Sequence, residues 1–517
     1  MEGKSGKTFK NRAPGRGAIY RKQHKQPMFE DFYLPFGGKL RSDNRWVKLA
    51  KLIPWDEIEE QYAEHFTDSG MGAPAKAARI ALGALIIQEK LGLTDEETVA
   101  QIQENPYLQY FIGYGSYSEE APFHETMMVL FRKRLNLGEL GEINELIHRR
   151  YRERGKRKSE GKDGRCGGSG EAGDIDHNRR GGGGKEETPN QGKLIVDASC
   201  TPADIRYPTD LGLLNEAREK SEGIIDRLQE PLRGEEKKPR TYRGRARRDY
   251  LRAAKNRNLG GKELHKALGK QLRYLRRDLV HIEGLAQKSS LELLSRRDYR
   301  NLLVIGEVYR QQKQMYEEGS RRIGDRIVSI SQPQVRPIVR GKAGVPVEFG
   351  AKISVSLVEG YTFIDRMSWD NFNESGELIE QIERYRQRFG CYPESVHADR
   401  IYRNRENLKY CGRHGIRISG PRLGRPKQEV DPAERKLMRA DELERNAVEG
   451  KFGQGKRRYG LGLIRGKLAE TSGSMIGMAI LVMNLEKLLR EVFWLLWNRA
   501  LFTILNTHSG HFVGLET

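Results

Sequence analysis

The fold of this chain is decided by the stretch KLIVDASC, residues 193–200, where a single acid interrupts an apolar strand pattern. Residues 194–196 and Ala198 suit a buried strand, and Asp197 lies among them. An ionised carboxylate taken out of water costs several kcal/mol unless a positive group compensates its charge. The pattern therefore predicts a buried strand that ends in an acid, and a cation that neutralises this acid.

A second short apolar strand also ends in an acid, because SVHADR, residues 395–400, carries Asp399. If the two strands are neighbours, their carboxylates converge at one sheet edge, where like charges repel unless they are protonated or bridged by a cation. Hard oxygen ligands select Mg²⁺ or Mn²⁺, and two such ions about 4 Å apart promote displacement at phosphorus. The alternative for either acid alone is a structural role, in which the carboxylate caps the strand end by accepting hydrogen bonds from backbone N–H groups.

A third acid is offered by DELERNAVEGKFGQGKRRYG, residues 441–460, which has helical character. At about 100° per residue, Arg445, Glu449 and Lys456 lie within about 40° of each other on one stripe. An acid flanked by two cations suits a metal ligand among groups that hold phosphates. The alternative is an ordinary salt-bridged surface helix. The glycines that follow Glu449 either loosen the helix or let another backbone approach closely.

Composition favours a polyanionic partner. The chain has 517 residues, enough for roughly three domains. Its formal net charge is +21, from 92 Lys and Arg against 71 Asp and Glu. Such an excess favours nucleic acid first and an anionic membrane second.

The remaining compositional signals predict a cytoplasmic protein that does not span a membrane. The most apolar segment, residues 475–505, contains charges that favour a buried helix. The N-terminus is basic but lacks an apolar core, so no secretory signal is expected. The four cysteines have no zinc-ligand spacing, which predicts reduced thiols.

Changes in composition divide the chain into six predicted parts. The Gly-rich stretch before residue 193 has almost nothing to bury and predicts a linker. The parts are a flexible basic N-terminus, 1–28; a helical N-terminal domain with possible DNA binding, 29–150; the linker, 151–192; a catalytic core, 193–209 and 338–470; a basic helical insertion, 210–337; and an apolar C-terminal helix that packs on the core, 471–517.

Two helices are predicted in the N-terminal domain. The first starts with Pro74 near its first position and ends at Gly92. The second opens with a capping box of Thr94 and Glu97 and is stopped by Pro106. The pair is compatible with a helix-turn-helix that reads DNA, and equally with an ordinary all-α domain.

The insertion combines an apolar stripe with a dense arginine run. The stripe consists of Leu264, Leu268, Leu272, Leu275, Leu279 and Ile282. Arginines interleaved with tyrosines favour phosphate contact over a merely solvated face. The candidate DNA-binding residues here are Arg243, Arg245, Arg247 and Arg248.

The order of elements after the insertion predicts an α/β fold with one mixed sheet. Residues 351–366 alternate in the manner of a hairpin that turns at Glu359-Gly360. A helix that ends at Gly390, two short strands and a charged helix from about Pro432 follow. The sheet is therefore expected to be flanked by helices and to carry a large helical insert after its first strand.

The three acids, in the setting of RNAVEGKFGQGK, resemble the DDE transposases of bacterial insertion sequences. The similarity is to the branch with a Y-x2-R-x3-E-x6-K signature, which Arg445, Glu449 and Lys456 match, whereas Glu442 stands at the Tyr position. The blocks around Asp197 and Asp399, and the helical region from residue 29, resemble the same proteins.

This resemblance implies an RNase H-like catalytic core, with Asp197, Asp399 and Glu449 as catalytic residues and ligands of Mg²⁺ or Mn²⁺. It implies cleavage of double-stranded DNA at terminal inverted repeats, transfer of the 3′-OH ends to target DNA, and a homodimer on DNA. Arg445 and Lys456 would contact DNA phosphates, and Arg400 is a further candidate contact.

Two rival interpretations remain open at this stage. One keeps the fold but makes the protein an RNase H-like nuclease acting on other nucleic-acid structures. The other is a catalytically silent DNA-binding protein whose acids are structural. Purified protein that nicks the ends of its own element in Mg²⁺ would distinguish the transposase from the silent protein.

Overall fold

The described part of this computed structural model comprises residue 22 and residues 28–34, 37–66, 74–163, 189–256, 258–342, 345–421 and 431–509. Most of the predicted basic N-terminus and residues 164–188 of the predicted linker lie outside it.

The N-terminal part is helical. Its helices are α1 (Arg45–Leu52), α2 (Trp55–Ala63), α3 (Ala78–Leu91), α4 (Asp95–Glu104), α5 (Pro106–Phe111), α6 (Met127–Arg134) and α7 (Leu137–Asp163). The capping box of Thr94 and Glu97 is present, and α4 ends before Pro106, which becomes the first residue of α5. α7 runs on to Asp163, so the first residues of the predicted linker are helical.

The start of α3 differs from the prediction. The helix begins at Ala78 and not near Pro74, although it ends as expected with Gly92 in the left-handed conformation. The cause is a side chain from another helix, because the carboxylate of Glu59 in α2 accepts the Ala78 N–H at 3.0 Å. Because Glu59 lies 19 residues earlier in the chain, the sequence pattern around the helix start could not predict this cap.

One mixed sheet forms the centre of the remaining chain. Its strands are β1 (Lys193–Pro202), β2 (Arg336–Lys342), β3 (Val345–Val358), β4 (Tyr361–Ser368), β5 (Ser395–His397) and β6 (Arg417–Ile418). The path is β2-β3-β1-β5-β6, with β4 paired to β3. β1 is antiparallel to β3 and parallel to β5, and β5 is parallel to β6. The predicted hairpin is confirmed as β3–β4, and both residues of its turn, Glu359 and Gly360, have positive φ.

β1 does not end at Asp197, as the sequence pattern predicted, but continues to Pro202. Its pairing with β3 extends from Ile195↔Leu357 to Pro202↔Gly350, whereas its pairing with β5 stops at Ile195↔His397. Asp197 therefore lies where β1 has lost its parallel neighbour and kept its antiparallel one.

The insertion between β1 and β2 has hydrophobic cores of its own. It contains α8 (Asp210–Gln229), α9 (Arg243–Ala254), α10 (Gly261–Ala286) and α11 (Arg296–Glu318). One core joins Leu214 of α8, Leu275 of α10 and Ile305 of α11, and a second joins Ile225 to Ile282. Five of the six members of the predicted stripe of α10 belong to these cores or pack against them, and Leu264 does not.

The C-terminal third adds four helices to the described sheet: α12 (Leu378–Phe389), α13 (Arg405–Arg413), α14 (Pro432–Arg458) and α15 (Ala469–Ser509). α14 is continuous past Glu449, and its Gly455 packs against Leu461 so closely that a Cβ there would lie 2.7 Å from Leu461 Cδ1. The close neighbour at this glycine is a side chain, and not the second backbone that the sequence analysis offered.

α15 is the one helix among the described residues that is long and apolar enough to cross a membrane. Within Ala469–Trp494, 78% of the most apolar window is buried inside the protein. Asn484 bonds the backbone of Thr362 in β4 and the side chain of Asn144 in α7. The helix is thus packed as a core element between the N-terminal helices and the sheet.

Gly350→Ala should destabilise the protein, because a Cβ at this position would lie 2.8 Å from Pro202 Cα and closer still to the Thr201 carbonyl oxygen. We expect a loss of about 1–3 kcal/mol in the free energy of unfolding, measured by urea denaturation. The matched control is Gly306→Ala in α11, where a Cβ meets nothing within 4 Å. That change should be neutral or stabilise by up to about 1 kcal/mol. Equal effects of the two substitutions would contradict the close approach of β1 and β3.

Candidate active site

The three acids singled out from the sequence line one cleft of about 510 Å³, here called the acidic cleft. They come from β1, from the turn after β5 and from α14. The charged residues that line it are Asp197, Lys352, Glu374, Asp399, Arg445, Glu449 and Lys456. Segments more than two hundred residues apart in sequence thus meet at one surface.

Asp197 and Asp399 are brought together by the parallel pairing of β1 and β5. The last paired residues are Ile195 and His397, and each acid stands two residues beyond its strand's member of that pair. Neighbouring strands lie about 4.8 Å apart, so the two acids stand at the same level of adjacent chain segments. Each carboxylate accepts the next backbone N–H through its Oδ1, at 2.8 Å for Asp197 and 2.7 Å for Asp399.

The electrostatic environment of Asp197 is short of positive charge. Burial raises the pKa of this carboxyl to about 6, while the bond from the Ala198 N–H lowers it. The negative charges of Glu374 and Asp399 raise the pKa further, and Arg445 acts in the opposite direction. The charged form of Asp197 is therefore under-compensated by the protein itself.

Glu449 lies in the acidic cleft but belongs to a different local arrangement. Its side chain is 59% exposed, and its Oε1 lies 3.4 Å from Arg445 Nη1, one helical turn earlier. In the described ranges no group of three or more His, Cys, Asp and Glu side chains is close enough to hold one metal ion. The three acids thus share a cleft without forming a ready-made three-ligand cluster.

Two charged residues of the acidic cleft were missed by the sequence analysis. Lys352 of β3 is nearly buried and donates to the Phe372 carbonyl at 2.8 Å and to Glu374 at 3.2 Å. A lysine inside the alternating pattern of β3 was a usable signal. Glu374 opens a short 3₁₀ helix, Glu374–Glu377, after β4, and no sequence pattern marks it as a cleft residue.

A charged network, here called the helix clamp, fastens α14 to the sheet. It consists of Lys193, His397, Arg417, Asp441 and Glu444. Arg417 of β6 binds Asp441 through two bonds, of 2.6 and 2.9 Å. The buried His397 ring lies 3.5 Å from Asp441 and 3.4 Å from Glu444, and Glu444 also pairs with Lys193 of β1.

The helix clamp sets where Glu449 lies, because it holds α14 one to two turns before that residue. Val448, the neighbour of Glu449, is fully buried in the main core. Glu444 is used by the clamp, and Glu442, the residue at the Tyr position of the signature, is exposed. His397 packs as a buried strand histidine whose Nε2 lies 3.0 Å from the Ser395 hydroxyl oxygen, while its Nδ1 makes no hydrogen bond.

The predicted DNA-contacting residues fall into two groups. Arg445 and Lys456 line the acidic cleft, and Arg400 is exposed next to Asp399. The arginines of α9 belong to the insertion and are not among the cleft-lining residues. Of these, Arg243 is engaged with Asp226, while the others are exposed.

The chemistry of the donor set fits a divalent cation. Asp197 and Asp399 supply hard carboxylate oxygens on adjacent segments, and the raised pKa of Asp197 marks negative charge that the protein does not neutralise. Glu449, the third carboxylate of the acidic cleft, is paired with Arg445.

Two family models match separate regions of the chain. One, described as a transposase DDE domain, matches residues 396–486, and the other, described as a transposase domain (DUF772), matches residues 35–134. The first region contains Asp399 and Glu449, the second contains α1–α6, and Asp197 lies outside both.

One curated relative shares a shorter region. It is an uncharacterised protein, ORF8 in the nfe locus of Rhizobium meliloti, 36% identical over 89 residues. These residues cover 17% of this chain and 42% of that protein, so the chain spans less than half the length of this relative. No solved structure matches the chain.

Asp197→Asn should stabilise the metal-free protein at neutral pH. The pKa of Asp197 rises from an ordinary 3.8 to about 6 on folding, so folding binds a proton between these values and stability falls as pH rises through 6. The substitution removes this loss, which we expect to be about 1–3 kcal/mol for a half-buried group.

Urea denaturation in EDTA at pH 7.5 and 4.0 measures the effect, which should be largest at pH 7.5 and shrink towards pH 4. Asp204→Asn, at an exposed acid further along the chain, controls for the loss of one charge. A stabilisation of equal size at both pH values would contradict the account.

Proposed function

The two matched domains indicate an insertion-sequence DDE transposase, and we propose that the acidic cleft of this chain performs its DNA strand cleavage and strand transfer. Assignment to the branch with the Y-R-E-K signature stays a prediction, since Glu442 occupies the Tyr position. DNA is the partner that the family implies.

The observation that carries the proposal is the convergence in one cleft of the acids and cations chosen from the sequence. Asp197, Asp399 and Glu449 line it together with Arg445 and Lys456. A structural role for each acid separately does not require that all three meet. The two matched transposase domains do not favour the rival nuclease or the silent DNA-binding protein.

We propose an RNase H-like core for the sheet. The order β4-β3-β1-β5-β6, with the first three strands antiparallel and the last three parallel, supports this proposal. In such a core Asp197 stands on the central strand β1, and Asp399 stands just past its parallel neighbour β5. Glu449 stands on α14, the helix that crosses both strands.

DDE transposase domains generally use divalent metals. In this chain Asp197 and Asp399 would hold the ion, with Glu449 as third ligand, and Mg²⁺ or Mn²⁺ suits such oxygen donors. A bound ion there would lower the pKa of a water and stabilise charge on the leaving oxygen.

The side chains of the cleft have separate tasks in the proposed reaction. Arg445 suits a bidentate phosphate contact and Lys456 a point contact, so together they would orient the phosphodiester. Water attacks phosphorus, the P–O3′ bond breaks, and the products are a 3′-OH and a 5′-phosphate. The freed 3′-OH then attacks a target phosphodiester and displaces another 3′ oxygen.

Lys352 and Glu374 would set the charge balance of the cleft before DNA enters. Their ion pair lies beside Asp197 and keeps a cation near it. Release of Arg445 from Glu449 would make this guanidinium available to a phosphate. Two element ends have to be cut together, so we propose a dimer on DNA that binds terminal inverted repeats.

Asp197→Asn should abolish cleavage and retain DNA binding. With Mg²⁺ and a duplex containing the DNA that flanks this gene, we expect wild-type protein to nick the element end. The variant should nick the element end at least about a hundredfold more slowly, since a charge that acts in the transition state is lost. Gel analysis of end-labelled DNA measures both nicking and binding.

Asp204→Asn is the matched control and should cut as the wild type does. Normal nicking by the Asp197 variant would remove this residue from the proposed site. Binding without any cutting by wild-type protein, in Mg²⁺ and in Mn²⁺, would favour the silent DNA-binding protein.

A further inference from the structure

The positive charge of the chain is concentrated in the insertion. Residues 240–277 contain fourteen Lys and Arg and only two acids, Asp249 and Glu263, against a net charge of +21 for all 517 residues. These residues cover α9 and the first part of α10. A charge excess of this density needs either internal acid partners or an external polyanion.

Two internal acids near this segment are already paired, and a third, Asp278, is fully buried. Asp249 binds Lys270 at 3.1 Å and the Tyr274 hydroxyl at 3.0 Å. Asp226 of α8 binds Arg243 and Lys238. These bonds fix α9 against α8 and α10.

Six further basic residues form one continuous surface, here called the arginine face. Its members are Arg245, Arg248 and Arg252 of α9, and Lys266, Arg273 and Arg277 of α10. At about 100° per residue, the α9 members lie within about 60° of each other, and so do the α10 members. Asp249 lies at the edge of the α9 row, about 40° from Arg245, and binds Lys270 of α10, so the two rows adjoin.

The members of the arginine face are not held in salt bridges among the described residues, although Arg252 lies near Asp249 and Arg277 near Asp278. The exposed members are Arg245, Arg248, Arg252, Lys266 and Arg273. Arg247, also predicted to contact DNA, points to the opposite side of α9. The face is held by a module with its own hydrophobic cores, so it is preformed and not shaped by the acidic cleft.

The aromatic residues of the face favour a duplex over a single strand. Single-strand binding depends on bare aromatic rings on which bases stack. Here the guanidinium of Arg277 lies 4.7 Å from the ring centre of Tyr242 and 5.9 Å from that of Tyr274. These two tyrosine rings, which lie beside the arginine face, are thus already in contact with an arginine. The basic side chains spaced along α10 suit a row of phosphates.

We propose that the insertion is a duplex-DNA-binding module that grips the phosphate backbone without reading sequence, through the arginine face. The choice of DNA as the polyanion that binds the arginine face rests on the proposed function. The module would hold flanking or target DNA while the acidic cleft acts on the element end. Duplex RNA or single-stranded DNA are the competing occupants.

The test uses full-length protein in EDTA, a random-sequence 30-bp DNA duplex and fluorescence anisotropy between 50 and 300 mM NaCl. The test variant is Arg245→Gln/Arg248→Gln/Arg252→Gln. The matched control is Arg297→Gln/Arg321→Gln/Arg322→Gln, which removes the same charge from exposed arginines of the insertion that lie outside α9 and α10. Circular dichroism and melting curves establish that both variants are folded.

We expect the test variant to reduce the slope of log K against log salt by about 3, since each phosphate contact contributes about 0.9. Its affinity at 100 mM salt should fall at least about tenfold, while the control changes it about twofold or less. A slope equal to that of the wild type or of the control overturns the proposal. So does tighter wild-type binding to a 30-nucleotide single strand or a 30-bp duplex RNA.

Failure of this proposal is distinguishable from failure of the proposed function. Wild-type protein that binds duplex through the arginine face but never nicks element ends leaves the module intact and removes the cleavage activity. A test variant that nicks element ends and keeps the wild-type salt dependence overturns the DNA-binding role of the arginine face and leaves the proposed cleavage activity intact.

Discussion

The site depends on one constraint, the double pairing of β1 with antiparallel β3 on one side and parallel β5 on the other. Side chains alternate between the two faces of a strand, so a shift of one residue in either register would turn Asp197 to the other face of the sheet. The parallel pairing ends at Ile195↔His397, which leaves room beside Asp197 for the turn that carries Asp399. Two acids 202 residues apart in the numbering are placed at one level by this sheet.

The third acid is placed by side-chain charges and not by backbone pairing. The helix clamp joins β1, β5 and β6 to α14 ahead of Glu449, and its central acid, Asp441, is buried. Such a pair does not have to add much net stability, because removing charges from water offsets its attraction. It does specify the rotation and height of the helix. The same helix then presents Arg445, Glu449 and Lys456 to the acidic cleft.

Local sequence patterns predicted those features that neighbouring residues determine. The hairpin, the capping box at Thr94 and the left-handed end of α12 at Gly390 were all predicted and are all present. Two transposase family models match residues 396–486 and 35–134, in agreement with the resemblance seen in the sequence. The three acids were chosen because each stands in a short motif that resembles those of the family, and their role stays a prediction.

Features that depend on distant partners were not predictable in the same way. The extension of β1 past Asp197 follows from its antiparallel partner β3, and the start of α3 at Ala78 follows from Glu59 on another helix. The pair of Lys352 and Glu374 and the helix clamp join segments whose proximity only the fold creates. For the same reason, the sequence alone did not show that Arg243 is paired with Asp226 while the other candidate arginines of α9 are exposed.

The cation site that we propose is built from β1, the turn after β5 and α14. Fe²⁺ placed in such a site generates hydroxyl radicals that cut the nearby backbone, so ascorbate-driven cleavage of the protein tests the claim most directly. The account predicts breaks near residues 197, 399 and 449, all suppressed by excess Mg²⁺ and by Asp399→Asn. Breaks confined to one of these segments, or breaks that Mg²⁺ does not suppress, would contradict it.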